Sequence, residues 1–467
     1  MMKRTAIGCW FAAAAVIFLL VSFSQAHARG WTIHQDGRLT VDGSTYAGFS
    51  HYFSSDAFKQ SGRRCGTVSP SVRFEPDGGP SDCGANQSAN LDDYAPAQIY
   101  EIPVVVHIII RSDGVGNISD SRVQSQIDIL NEDFMAILGT PGENGTISGV
   151  RFRLASVDPS GNPTSGITRT TNDNWFQDND EYGFKSALGW DRSRYLNIYT
   201  NSAGGYLGYA YLPQSDAGSV WDGVVILYSA FGRDSGNPPY DQGRTTTHEV
   251  GHYLGLEHTF EGGCQTATPP GCYSSGDLIC DTNSEQSPVF GCPSASVTCN
   301  SPDPIHNYMD YTDDTCMTNY TPEQARRLRC ALENYRPVLY TVTTGLVADF
   351  TANATQGAAP LTVNFTDLTT DAVTSWFWTF GDGGTSSAQN PLHTYTAAGQ
   401  YTVALTVNGP SGSDIVTKPG YITLTESPAK RLLGPAILLP LLLKQDPQPL
   451  SREKQSKRID GPIVPGN

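Results

Sequence analysis

Residues 248–258 read His248-Glu249-Val250-Gly251-His252-Tyr253-Leu254-Gly255-Leu256-Glu257-His258. A helix rises about 1.5 Å per residue with about 3.6 residues per turn, which stacks His248 and His252 on one face. Two imidazoles so placed reach one zinc ion, and Glu249 at the edge of that face reaches a water bound to it. Gly255 sits where a left-handed residue ends a helix, which lets the chain reverse and return His258 as a third nitrogen ligand. Three protein ligands leave a fourth position for water, the pattern of a catalytic rather than a structural zinc site. The bland alternative, a surface helix rich in histidine, does not account for Gly255 and His258 at these offsets.

This stretch resembles the metzincin clan of zinc endopeptidases. Asn307-Tyr308-Met309-Asp310-Tyr311 is similar to the clan's Met-turn, in which a methionine, here Met309, lies as an apolar floor beneath the metal. Together with Gly276-Asp277-Leu278-Ile279-Cys280-Asp281-Thr282, these segments resemble the pappalysin family. The resemblance implies an α+β catalytic domain: a twisted mixed sheet, an active-site helix and a disulfide-rich C-terminal subdomain. It also implies that Tyr311 lies within reach of the scissile carbonyl's developing oxyanion. Asp313 and Asp314, just past the Met-turn, are candidates to line the first primed-side pocket and favour Arg or Lys there.

The chain has 467 residues, enough for two or three domains. Lys3 and Arg4, the apolar run Trp10 to Val21 and Ala26-His27-Ala28 read as a secretory signal peptide over 1–28. A membrane span needs about 20 apolar residues and finds too few here. Of ten cysteines, Cys9 leaves with this leader and nine remain, an odd number. The net charge is −16; the last stretch, 427–467, has seven Lys/Arg against three Asp/Glu, so residues 1–426 carry −20. So acidic a surface repels nucleic acid and suits a secreted, calcium-binding protein.

Residues 29–98 are polar, rich in Gly, Ser and Asp, with little helical periodicity. Trp31–Ile33 and Leu39–Val41 read as short strands split by Asp36-Gly37. This segment looks like a pro-segment, and Arg63-Arg64-Cys65-Gly66-Thr67 resembles the pappalysin latency motif, in which a cysteine blocks the zinc. The competing reading pairs Cys65 with Cys83. Arg63 and Arg64 are candidate cleavage points, yet no Lys or Arg follows Arg73 until Arg111.

The catalytic domain is assigned to 99–340. Ile102–Ile110 reads as a buried strand in which His107 is a core histidine rather than a ligand. Ser119 or Ser121 caps a helix whose apolar positions are Val123, Ile127, Leu130 and Phe134. Further strands are expected at Leu196–Thr200 and Val224–Tyr228. Gly205–Ala210 falls on the edge strand above the metzincin cleft, to which an extended polypeptide substrate can add as another strand. The region beyond His258 is poor in apolar residues and rich in cysteines, a disulfide framework in an exported chain. The family pattern implies Cys264 with Cys299 and Cys292 with Cys316; Cys272 can pair with Cys280, and Cys83 is the expected partner of Cys330. Spacing leaves the connectivity open. In pappalysins the segment holding Asp277, Asp281 and Thr282 binds calcium, which prefers such oxygen ligands; the competing reading is a solvated acidic loop. Thr321 caps a closing helix, with Pro322 at its first position.

A composition shift near Thr341 opens an all-β stretch, 345–426. Trp376, Trp378 and Phe380 alternate towards one face. With Gly381-Asp382-Gly383, Asn390-Pro391, His393-Thr394-Tyr395 and Gly399-Gln400-Tyr401-Thr402-Val403, they resemble the PKD-type domain, an immunoglobulin-like sandwich. Its own apolar face suggests a separable module, dispensable for cleaving short peptides, that binds an extracellular protein or polysaccharide. The tail 427–467 is apolar over Leu432–Leu443 but broken by Gly434, Pro435 and Pro440, so it makes no stable membrane span. The sequence thus reads as a secreted, zinc-dependent endopeptidase made as a zymogen, with Zn2+ and Ca2+ as cofactors. The alternative class is a catalytically silent adhesion or glycan/protein-binding protein using the PKD-type module, and an intact Glu249 argues against it.

Overall fold

The computed structural model describes residues 31–34, 36–68, 83, 94, 98–137, 140–265, 271–273, 275–343, 346, 348–369, 372–409 and 412–426. The leader read at 1–28 and the tail at 427–467 lie outside the described residues. Chain entry is an antiparallel three-stranded sheet, β1 (Trp31–Ile33), β2 (Leu39–Val41) and β3 (Ser44–Tyr46). Two short helices follow, α1 (Phe49–Phe53) and α2 (Asp56–Ser61). The sequence reading missed both, because one turn of helix shows no periodicity; packing holds them instead. Phe49, Tyr52, Phe53 and Phe58 are buried in one aromatic cluster with Tyr240 and Tyr209 from later in the chain.

The centre of the next region is β4 (Ile99–Ile110), buried along nearly its whole length. Then come α3 (Asp120–Phe134), β5 (Val150–Leu154), β6 (Ile167–Thr171), α4 (Asp173–Phe176), α5 (Glu181–Leu188) and β7 (Leu196–Asn201). β8 (Gly208–Tyr209), α6 (Pro213–Asp216), β9 (Val224–Leu227) and α7 (Arg244–Tyr253) complete the upper part. Strands β4, β5, β6, β7 and β9 are parallel, and β8 closes the edge antiparallel to β9. Ser119 caps α3 by accepting from Arg122 N. The expected edge strand over 205–210 is shorter, because Ala203–Gly205 forms a 3-10 turn with Gly204 and Gly205 at φ 57° and 101°. His107 is buried between Thr168 Oγ1 at 2.8 Å and Asn197 Oδ1 at 3.0 Å. Burial pushes it down to about 4, so it is a neutral core residue.

Beyond α7 regular structure is sparse: the two-residue strands β10 (Val297–Thr298) and β11 (Ser301–Pro302), then α8 (Pro322–Tyr335). Disulfides join Cys264 to Cys299, Cys272 to Cys280, Cys292 to Cys316 and Cys83 to Cys330. Such links stand in for the apolar core that this region lacks. Thr321 and Gln324 form a reciprocal capping box at the start of α8, with Pro322 in its first turn. After α8, β12 (Thr341–Thr343) pairs antiparallel with the start of β4, so the sheet runs past the composition shift at Thr341.

Eight strands make the last region: β13 (Phe350–Ala352), β14 (Gln356–Ala358), β15 (Leu361–Asp367), β16 (Ser375–Thr379), β17 (Thr385–Ser386), β18 (Leu392–Tyr395), β19 (Gly399–Gly409) and β20 (Gly412–Thr425). They form two facing sheets, β13-β15-β18 and β14-β20-β19-β16-β17. Trp378 and Phe380 are buried between them, and half-buried Trp376 donates its Nε1–H to Asp367.

Candidate active site

Helix α7 begins at Gly243, whose φ of 78° puts it in the left-handed region. No side chain of its own caps it. Asp314 does so from 70 residues away, accepting from Gln242 N at 2.9 Å and Arg244 N at 3.2 Å. Burial raises its carboxyl to about 6. The helix exits through Gly255 at φ 92°, with Gly255 N bonded to His252 O and Leu256 N to Gly251 O. That left-handed exit returns His258 beside the other two histidines.

The ring nitrogens converge. His252 Nε2 lies 3.2 Å from His248 Nε2 and 3.1 Å from His258 Nε2. His248 Nδ1 bonds to Tyr308 O at 2.6 Å and His252 Nδ1 to Leu256 O at 2.7 Å. A carbonyl partner fixes the proton on Nδ1 and leaves the Nε2 lone pair facing inward. Burial lowers all three histidines, so they are neutral donors. Cys65 Sγ joins them, and the four ligand atoms lie within 4.8 Å of one another. Three neutral imidazoles with a thiol are a donor set suited to a borderline-soft divalent ion.

Cys65 arrives on an extended segment beside β8. Gly66 N donates to Gly208 O at 2.9 Å, and Leu207 N donates to Arg63 O at 3.2 Å. Cys65 Sγ is 3.5 Å from His252 Nε2 and donates to Glu249 Oε2 at 3.4 Å. Cys65 is the free cysteine among the described residues, Cys83 being joined to Cys330. Burial, and then the charge of Glu249, pushes its thiol up, an effect a bound cation opposes. Glu249 is fully buried; burial raises its carboxyl to about 7.

The floor is built by residues 307–311. A methyl group on Gly251 would come 2.5 Å from Met309 Sδ, so Met309 packs directly under α7. Tyr311 OH lies 3.3 Å from His258 Nε2. Phe260 stacks on the His258 ring, centroids 4.8 Å apart and 13° from parallel. Asp133 braces the helix from behind: Arg244 donates to it at 3.1 Å, Thr247 at 2.6 Å and Tyr308 OH at 2.9 Å.

Elsewhere the expected site residues fall into different environments. Asp277 and Thr282 do meet, Thr282 Oγ1 donating to Asp277 Oδ2 at 2.7 Å, with both buried. Asp281 caps α8, accepting from Thr321 Oγ1 at 2.6 Å and Glu323 N at 2.8 Å. A carboxylate at a helix start answers unpaired N–H groups. Asp314, expected to line a pocket, caps α7 through Oδ2 alone, and its buried Oδ1 has no hydrogen-bond partner. Three contributors were missed. Arg64 is fully buried, with its guanidinium 4.8 Å from the Tyr240 ring and Nη2 against Met317 Sδ. Thr67 Oγ1 accepts from Ala210 N at 2.9 Å and donates to Glu249 Oε2 at 3.1 Å. Both flank Cys65 within the quoted motif, which was the available signal. Asp133 carried none, since a polar residue on an amphipathic helix reads as solvated.

Residues 181–333 match the family model described as pregnancy-associated plasma protein-A, and residues 345–424 match that of the PKD domain. An extracellular metalloprotease of Colletotrichum graminicola is 37% identical over 260 residues, covering 53% of this chain and 82% of that one. Extracellular metalloprotease 1 of Coccidioides posadasii is 36% identical over 294 residues, covering 60% and 93%. Among solved structures, mature mirolysin of Tannerella forsythia in complex with a cleaved peptide is 36% identical, covers 53% of this chain and 100% of that chain, and has a TM-score of 0.45. The fold and site define a metal-dependent protease. The chain belongs to the M43, or pappalysin, family of metalloproteases, with a PKD domain following the catalytic domain; it is an extracellular metalloprotease acting on polypeptides. No helix among the described residues is long and apolar enough to cross a membrane.

Proposed function

We propose that the chain is a zinc-dependent endopeptidase made as a latent zymogen, in which His248, His252 and His258 hold the metal and Cys65 blocks it. The observation that carries this reading is the seating of Cys65 Sγ among the three imidazoles and Glu249. When bound, zinc supplies Lewis acidity that brings the pKa of a water towards about 7. Glu249 takes the proton of the attacking water and later returns it to the leaving amine. Tyr311 OH stabilises the developing oxyanion. Leu207 N and Gly208 O, taken here by Arg63 and Gly66, are the main-chain groups that hold an extended substrate once residues 29–98 leave.

Arg64 supports a preference for a cationic side chain beside the scissile bond. It fills a pocket with Tyr240 and Met317, and its charge is felt by Asp313 and Asp314. Asp277 and Thr282, without Asp281, are the proposed calcium ligands. The test is casein digestion by purified chain before and after removal of the N-terminal segment. Activity that appears on removal, is lost to 1,10-phenanthroline and returns with zinc supports the reading. Equal activity before and after removal sinks latency, while activity insensitive to chelation sinks the metal mechanism.

A further inference from the structure

Helix α3 has two faces, and the sequence accounts for one. Val123, Ile127, Leu130 and Phe134 enter the core against the sheet. Asp128 and Glu132, one turn apart on the other side, belong in water by any amphipathic reading. They are 1% and 2% exposed. The PKD sandwich covers them. Lys418 of β20 donates to Asp128 and, at 2.5 Å, to Phe350 O, and lies 3.2 Å from the Asp349 carboxylate. Tyr421 OH donates to Asp128 Oδ2 at 2.5 Å, and Thr351 Oγ1 donates to Glu132 Oε1 at 2.7 Å. From the catalytic side Arg151 pairs with Asp349 at 3.0 Å and Arg233 with Glu132 at 2.6 Å. One residue further along α3, Asp133 grips Arg244, Thr247 and Tyr308, and Tyr308 O in turn holds His248 Nδ1.

We propose that the PKD domain is a working part of the peptidase, with Lys418 a positioning residue that acts through Asp128 and α3 on the active-site helix. A buried carboxylate stripped of its counter-ion must be rehydrated or neutralised, and either change moves the helix that bears it. Close-packed α3 carries Asp133 with it, and small displacements of a metal-binding imidazole are costly to turnover. The proposal runs against the expectation of a dispensable module, and the kinetics of the Lys418 variants decide between the two. Only the kinetic arm of the test rests on the peptidase reading of α7.

The experiment uses the full chain, activated, with Lys418→Met, Lys418→Arg, and Lys418→Met combined with Asp128→Asn. Phe377→Thr, on the exposed outer face of the sandwich, is the control. Hydrogen exchange is read alongside kcat and KM on a fluorogenic peptide, well below each variant's Tm. Lys418→Met is expected to speed exchange in both 120–134 and 244–253 and to lower kcat roughly tenfold, with KM changed by less than about twofold. Lys418→Arg restores most of both. The double variant, which leaves no unpaired buried charge, is milder than Lys418→Met alone. If Lys418→Met does not fold, the Arg and double variants carry the same readouts. Exchange changes confined to 346–426, or a lowered Tm with unchanged kcat, overturn the proposal.

Discussion

Cys65 Sγ stands 3.5 Å from His252 Nε2 although 187 residues separate them in the chain. The contact joins an N-terminal segment, whose aromatic residues share a core with Tyr209 and Tyr240, to the centre of the catalytic domain. A thiolate binds zinc better than water does and brings the charge a dication favours.

Cys65→Ala is therefore expected to give full-length chain with activity before any processing, whereas Cys83→Ala is not. Cys65 should be alkylatable only after chelation, and peptide mapping should recover Cys83 linked to Cys330. Cys65 recovered in a disulfide would end the latency scheme.

Glu249→Gln should retain its metal and lose roughly 10²- to 10⁴-fold or more of its proteolysis, since the amide cannot shuttle the proton. Metal analysis beside a casein assay decides it, and wild-type turnover in the variant would remove Glu249 from the reaction.

Gly208 tests how closely the edge strand approaches the base. A Cβ there would lie 2.8 Å from Glu249 Cγ and 3.0 Å from Ile226 Cδ1. Gly208→Ala should lower kcat on the order of tenfold to a hundredfold by displacing the carboxylate. A variant that loses Tm but keeps kcat would show that Glu249 is not displaced.

Calcium should raise the Tm by several degrees by tying a loop region with little core. Asp277→Ala is expected to abolish that shift. Asp281→Ala should lower the starting Tm, by loss of the α8 cap, yet keep the calcium response. The reverse pattern would restore Asp281 to the site.

Asp178 gives a pH dependence. It is buried, accepts from Tyr209 OH at 2.9 Å and from Asn201 at 3.0 Å, and burial raises its carboxyl to about 7. A folded pKa above the unfolded one means the native state binds the extra proton, so stability falls as pH rises from about 4 to 7. Asp178→Asn should therefore match wild type near pH 4 and exceed it near pH 8, by no more than about 4 kcal/mol. Denaturant melts at both values are the check, and equal stabilities at pH 8 would refute the ionisation cost.

What the sequence determined by itself was local. Spacing set His248, Glu249 and His252 on one helical face, Gly255 marked the turn that returns His258, and Thr321-Pro322 marked the start of α8. These rest on helix geometry and on backbone groups a few residues away, so a short window contains their causes. Tertiary structure decided the rest. It chose Cys330 over Cys65 as the partner of Cys83, and sent Asp281 and Asp314 to helix starts. It also seated Arg64 in a pocket made by residues far along the chain. It buried Asp128 and Glu132 beneath Lys418, where the sequence pattern calls for water. A charged residue reads as solvated until a partner of opposite charge, here 290 positions away, is folded over it.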